Sequence, residues 1–300
     1  MKQNKPVYTL TVLVLALLFM STAVAAPTLK FTFKDVKVKG AVEVDTYSIN
    51  DKGVIAGDYV DSSANQHGMI LNGTKLTSFD DKNCPSSPAG STAIAMYGIN
   101  SAGVAVGWCT SSKTGSPVGL MYAKGKLTEL TVPKSIETEA DGINDKGEIV
   151  GTFIDSAGAQ HGFLLANKKY KQLDVPGDSS TVAWSINAKG QITLYAINSA
   201  GNYDAFILTG KKYTKVSDPN SASPGTVIHA INNNGDVDGT YYDSSGVTHG
   251  FLLTGGKYYT LNDPEGADTR ADGLNDKLTI VGRWGSGTYG GTGFEATTKK

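Results

Sequence analysis

The chain has 300 residues, with 27 Lys+Arg against 28 Asp+Glu, so its formal net charge is −1. That balance argues against a nucleic-acid binder, which needs a basic surplus to displace counterions from phosphate. Glycine is abundant, 36 of 300 residues against a usual ~7%, and with 14 Tyr, 9 Phe and 3 Trp the composition is that of a turn-dense β protein and not of a helical or disordered one.

Residues 1–25 read as a secretory signal peptide. Met1 to Lys5 form a positive n-region, Val7 to Phe19 an apolar stretch, and Ala23-Val24-Ala25 a small-x-small cleavage site. Pro27 would be a poor first mature residue, which places the cut after Ala25. The apolar stretch is short for a bilayer span, which takes ~20 residues. The expectation is a mature chain of residues 26–300, secreted or periplasmic, with no membrane span after cleavage. Two cysteines follow, Cys84 and Cys109. In an oxidising compartment an isolated pair most simply forms one disulfide; two free thiols are the alternative.

A repeat then runs the length of the chain. Ile-Asn, once Leu-Asn, recurs with its Asn at Asn50, Asn100, Asn144, Asn187, Asn232 and Asn275. Three positions on stand Gly53, Gly103, Gly147, Gly190 and Gly235, with Leu278 in the sixth copy. Seven positions on stand Gly57, Gly107, Gly151, Gly239 and Gly282, with Leu194 in the fourth. An apolar residue follows nineteen or twenty positions after the Asn: Met69, Leu120, Phe163, Phe206, Phe251 and Phe294. Asn-x-x-Gly fits a type I turn whose Asn bonds its own backbone and whose Gly supplies a positive φ. Each turn lies between short alternating runs. Two further runs follow, separated by an Asp-Ser-x-Gly turn and a Lys/Gly turn.

Four antiparallel strands per ~40–45 residues make the blade of a β-propeller. Six copies predict an all-β, six-bladed propeller filling residues 26–300 as one domain. The last copy lacks a fourth strand, while Phe31 to Val36 has a fourth-strand pattern with nothing before it. The N-terminal strand is therefore expected to complete the C-terminal blade, which closes the ring and leaves no open edge. A monomer is expected.

The units Ile-Asn-x-x-Gly-x-Val-x-Gly, Asp-Ser-x-Gly-x-x-His-Gly-Phe and Leu-Asp-x-Pro-Gly, closest at residues 142–177 and 230–266, resemble the HAF repeat of probable extracellular bacterial proteins. The resemblance implies an exported propeller-like protein with no settled activity, and no catalytic residues carry over from it.

Function in a propeller sits where blades differ. Three residues before the repeated Asn stand Tyr47, Tyr97, Asp141, Trp184, His229 and Asp272; five before stand Asp45, Ala95, Glu139, Val182, Val227 and Arg270. These positions vary while their neighbours repeat, and the ring brings them together near the channel mouth. Asp45, Tyr47, Tyr97, Glu139, Asp141, Trp184, His229, Arg270 and Asp272 are the candidate ligand-binding residues. Aromatics beside carboxylates suit a carbohydrate, a peptide or another small polar ligand, so a glycan, peptide or cell-surface component is the expected partner. The chain has no Gly-x-Ser-x-Gly elbow, His-Glu-x-x-His or phosphate loop. A non-catalytic binding module is therefore the first reading. A glycan-active hydrolase or lyase is the alternative, with Glu139, Asp141, His229 and Asp272 as its acid, base and charge-stabilising groups; a structural envelope or matrix protein is a third. No cofactor and no metal are expected. The repeated His67, His161 and His249 stand a whole sheet apart and cannot share one ion; they are expected to bond or pack a neighbouring turn. The Asp-Ser turns each offer one carboxylate, too few for calcium.

Overall fold

The computed structural model describes residues 29–80, 84, 94–111, 113–262, 264, 268–285 and 291–299. The proposed signal peptide lies outside the described residues, and so does the long loop over 81–92 except for Cys84. Strand β1 is Lys30–Asp35. Blade 1 is β2 (Ala41–Ile49), β3 (Val54–Asp61), β4 (Gln66–Asn72) and β5 (Lys75–Phe79); blade 2 is β6 (Ile94–Ile99), β7 (Ala105–Thr110), β8 (Pro117–Ala123) and β9 (Lys126–Leu130). Blade 3 is β10 (Glu137–Ile143), β11 (Ile149–Ile154), β12 (Gln160–Ala166) and β13 (Lys169–Leu173); blade 4 is β14 (Ser180–Ile186), β15 (Gln191–Ile197), β16 (Tyr203–Thr209) and β17 (Lys212–Val216). Blade 5 is β18 (Thr226–Ile231), β19 (Val237–Tyr242), β20 (Thr248–Thr254) and β21 (Lys257–Leu261). Blade 6 is β22 (Thr269–Leu274), β23 (Ile280–Trp284) and β24 (Thr292–Lys299), completed by β1.

Every blade is a four-stranded antiparallel meander, and the chain closes as its pattern predicts. β1 pairs with β24 in register, Phe33 opposite Ala296 and Asp35 opposite Phe294. The core is divided among the blade interfaces. Ala56, Ile70 and Phe79 of blade 1, for example, pack on Ile94, Met96 and Leu120 of blade 2, and Val281 of blade 6 packs on Met69 and Ile55 of blade 1. Each sheet is thus buried on both faces by its neighbours.

The repeated Asn does more than shape its own turn. In all six copies its Oδ1 accepts the backbone N–H groups two and four residues on, at 2.9–3.0 Å. Its Nδ2 donates to the backbone carbonyl of the Asn in the next blade. The chain of bonds runs Asn50 to Asn100, Asn144, Asn187, Asn232, Asn275 and back to Asn50, at 2.9–3.2 Å. Six Asn side chains therefore form a closed hydrogen-bonded belt around the axis. The belt lies at one end of the channel, where the Asn-x-x-Gly turns are.

The glycines at the seventh position are explained by close approach. A Cβ on Gly151 would collide with the carbonyl oxygen of Glu139, and the Phe163 ring rests against the same spot. In blade 4 Leu194 occupies this place and is fully buried. Phe206 opposite it is only half-buried, unlike its five equivalents.

Candidate binding site at the channel axis

Each innermost strand carries a β-bulge at the candidate position. Pairing with the second strand skips Tyr47, Tyr97, Asp141, Trp184 and Asp272, and in blade 5 it breaks between Ile228 and Ile231, around His229. A bulge re-aims a side chain away from the pleat. Repeated in six blades, it gathers two Tyr, two Asp, a Trp and a His at the axis. Tyr47 meets Tyr97 edge-on at 4.7 Å between ring centres, Tyr97 stacks on Trp184 at 5.7 Å, and Trp184 lies 5.2 Å from His229. The residues converge as their spacing requires, yet they narrow the channel instead of surrounding an open well. The cavity lined by Tyr47, Tyr97, Asp141, Trp184 and Asp272 is about 30 Å³, room for a water or two. Anything larger is excluded from this layer, and Asp45, Glu139 and Arg270, two residues earlier on the same strands, are half-buried.

Sequence reading missed a second set of residues. Eight positions after each Asn, on the second strand, stand Asp58, Trp108, Thr152, Tyr195, Thr240 and Arg283. They lie opposite Asp45, Ala95, Glu139, Val182, Val227 and Arg270. The available signal was their variability immediately after the repeated Gly.

Two of these residues complete the blade 1–blade 6 side. Arg283 Nη1 is 3.4 Å from Asp45 Oδ2, and the guanidinium lies 5.2 Å from the centre of the Tyr47 ring. Burial opposes its charge, but Asp272, Tyr47 and Asp45 outweigh that and raise its pKa above the usual value. Asp58 accepts Gln66 Nε2 at 2.6 Å. Burial, with the Asp45 charge adding to it, pushes its carboxyl up to about 7. The Tyr47 hydroxyl lies 3.4 Å from Asp45 Oδ2 and 3.5 Å from Asp58 Oδ2.

On the blade 3 side, Asp141 is 3% exposed. Its Oδ2 accepts the Thr152 hydroxyl at 3.1 Å, and its Oδ1 is buried without a hydrogen-bond partner among the described residues. Burial, reinforced by Glu139, holds its pKa well above the carboxylate range. Burial, then Glu137, pushes Glu139 up to about 7.

His229 and Asp272 face each other at 3.4 Å. The His229 Nδ1–H donates to the Ala271 carbonyl at 2.7 Å and so ties blade 5 to blade 6, and burial lowers its pKa and keeps the ring neutral. Asp272 Oδ2 is another buried oxygen without a protein partner among the described residues.

The rim histidines do what was expected of them. Nε2 of His67, His161 and His249 meets Asp61, Asp155 and Asp243 of the adjoining turn at 3.2–3.4 Å. Each ring also lies on the aromatic opposite it: Tyr59, Phe153 or Tyr241. Cys84 and Cys109 form a disulfide with Cα atoms 6.4 Å apart. Cys109 lies inside β7, opposite Ile94. No group of three or more His, Cys, Asp or Glu among the described residues is arranged to hold a metal ion. No helix among them is long and apolar enough to cross a membrane.

No protein-family model matches the chain, and no curated protein is similar to it. Solved structures are similar in fold. A mutant of the Aleuria aurantia lectin in complex with Fucalpha1-6GlcNAc superposes with a TM-score of 0.50 and 13% identity, over 84% of this chain and 90% of that one. The SapL1 lectin in complex with alpha methyl fucoside gives 0.53 and 9%, over 83% and 90%. Trypanosoma rangeli sialidase gives 0.52 and 11%, over 90% of this chain and 59% of that one. The chain is a six-bladed β-propeller. At such identities the likeness carries the fold alone.

Proposed function

We propose that this propeller is an exported, non-catalytic carbohydrate-binding module that takes its ligand at the channel mouth, above Tyr47, Tyr97 and Trp184. One observation carries the reading. A scaffold that repeats its core six times fills its axis with unlike polar and aromatic side chains, among them buried carboxylates with unbonded oxygens. Apolar packing would be more stable there, because a buried polar group without a hydrogen-bond partner is unfavourable. Groups kept at that cost are candidates for a ligand. Aromatic faces beside hydrogen-bonding carboxylates suit a sugar. The disulfide is compatible with an oxidising compartment, and the resemblance to HAF repeats agrees with export. Two of the proteins similar in fold are lectins with fucosides bound, which makes fucosides sensible first probes.

The test is a glycan array on the purified protein, with Trp184→Ala and Asp141→Asn beside the wild type. The wild type should bind a defined set of glycans, and both variants should lose the signal while keeping a near wild-type thermal midpoint. An empty array, or binding that neither substitution weakens, overturns the reading. His229 is unsuited to this test, since its ring bridges two blades. The second reading, a glycan-active hydrolase or lyase, draws on Glu139, whose pKa of about 7 would let it act as an acid at neutral pH. Release of reducing sugar that Glu139→Gln abolishes would favour it.

A further inference from the structure

Blades 6 and 3 build the same corner of the channel from the same repeat positions, and the two corners differ in charge. In blade 6 Asp272 stands three residues before the repeated Asn and Arg283 eight after it. The guanidinium lies against the Tyr47 ring, 5.2 Å from its centre, and 3.4 Å from Asp45. A cation, an aromatic face and carboxylates are all present. In blade 3 Asp141 takes the place of Asp272, and Thr152 takes the place of Arg283. The carboxylates are there, with Glu139 two residues nearer the mouth. Aromatic faces are there too. Tyr97 and Trp184 line the axial cavity with Asp141, and Tyr195 lies 6.3 Å from Trp184. No Lys, Arg or His among the described residues forms an ion pair with Asp141 or Glu139, and Thr152 stands where blade 6 has its guanidinium. Asp141, 3% exposed, leaves Oδ1 unbonded.

We infer that this corner takes a protonated amine from the ligand, so that the sugar bound at the mouth is an amino sugar with a free amine. The ammonium group enters the cavity that Asp141, Tyr97 and Trp184 line, with Glu139 nearer the mouth, much as the Arg283 guanidinium stands between carboxylates and Tyr47. Ring faces attract cations, most strongly when desolvated. The cavity of about 30 Å³ matches the water-like size of an ammonium group and not that of a sugar ring. An N-acetylated sugar brings no charge and more bulk. Uronic or phosphorylated sugars would bring an anion to a place where burial already disfavours negative charge on Asp141 and Glu139. The inference rests on the carbohydrate reading above, and its test separates the two.

The purified protein is titrated at neutral pH with glucosamine trimer, N-acetylglucosamine trimer and methylammonium, followed by tryptophan fluorescence and calorimetry. The glucosamine trimer should bind at least about tenfold tighter than its acetylated counterpart, and methylammonium should compete with it. Thr152→Arg, which gives blade 3 the cation that blade 6 carries, should abolish amine binding without lowering the thermal midpoint. Equal affinity for the two trimers overturns the amine site and leaves the carbohydrate reading standing. A response to methylammonium with neither trimer bound keeps the amine site and overturns the amino sugar as its ligand. Silence to all three probes overturns the amine site, while the carbohydrate reading stands or falls on the glycan array. The comparison of trimers on the wild type decides even where a variant does not fold.

Discussion

Asn275 Nδ2 donates to the Asn50 carbonyl at 3.2 Å, across 225 residues of sequence. This bond joins the last repeat to the first and closes the belt. It lies at the opposite end of the channel from Asp45 and Glu139, so belt and candidate site can be perturbed separately. Asn187→Asp keeps the Oδ1 acceptor for the turn but replaces the Nδ2 donor to Asn232 with an oxygen facing a carbonyl. Loss of a buried donor of this kind destabilises by about 1–3 kcal/mol. Urea unfolding of the variant at neutral pH should show a lower midpoint with an unchanged slope, and an unmoved midpoint would mean that the belt contributes little.

Gly151→Ala tests the close approach between the first two strands. The new Cβ meets the Glu139 carbonyl and the Phe163 ring, and backbone cannot yield as a flexible side chain can. Overpacking of this kind typically destabilises by about 1–3 kcal/mol. Gly158→Ala is the control, because nothing lies within 4 Å of its Cβ position and only its φ of 87° is strained. Thermal midpoints should fall further for Gly151→Ala than for the control.

The fold was legible because the repeat is made of backbone necessities. Asn50 and its equivalents serve a turn through Oδ1 and a belt bond through Nδ2 at once. Gly57, Gly107, Gly151, Gly239 and Gly282 leave no room for a Cβ, and Met69 or Phe163 fills the blade interface. Leu278, at φ 58°, marks where that discipline relaxes. The site was legible only in part. Variability at Tyr47, Asp141 and Trp184 was visible, but the bulge that turns them to the axis has no sequence signature of its own. Arg283 and Asp58 stood in a run that reads as ordinary second-strand alternation. The meaning of Arg283 depends on Asp45 and Tyr47 of blade 1, which only the closed ring brings near.

The Cys84–Cys109 bridge spans 25 residues of sequence and ties Cys84 to the buried face of β7, where Cys109 is 1% exposed. Closing a loop of this length restricts the unfolded chain and typically contributes about 2–4 kcal/mol. Thiol counting in denaturant without reductant should find no free Cys. Adding reductant should lower the denaturation midpoint of the wild type, whereas a Cys84→Ala/Cys109→Ala double variant should not respond.

Asp238 gives stability a pH dependence of predictable sign. It stands six residues after Asn232, where the other blades carry Ala56, Val106, Val150, Thr193 and Val281. It is fully buried. Its Oδ1 accepts the Ala230 N–H at 2.7 Å, while Oδ2 has no hydrogen-bond partner among the described residues. Burial, then the Asp272 charge, pushes its pKa up to about 8 against the lowering effect of the Ala230 N–H. An unfolded Asp ionises near ~3.9. Between those two values the unfolded chain has released this proton and the folded one still holds it. Rising pH therefore favours unfolding, and the stabilisation is complete only below the unfolded value. Asp58 and Glu139, each at about 7, act in the same direction over a narrower window. Asp238→Asn keeps the shape and carries no titrating proton, so its thermal midpoint should fall less than the wild type's between about pH 5 and pH 8. Parallel curves for the two proteins would show that the folded structure ionises Asp238 as readily as water does.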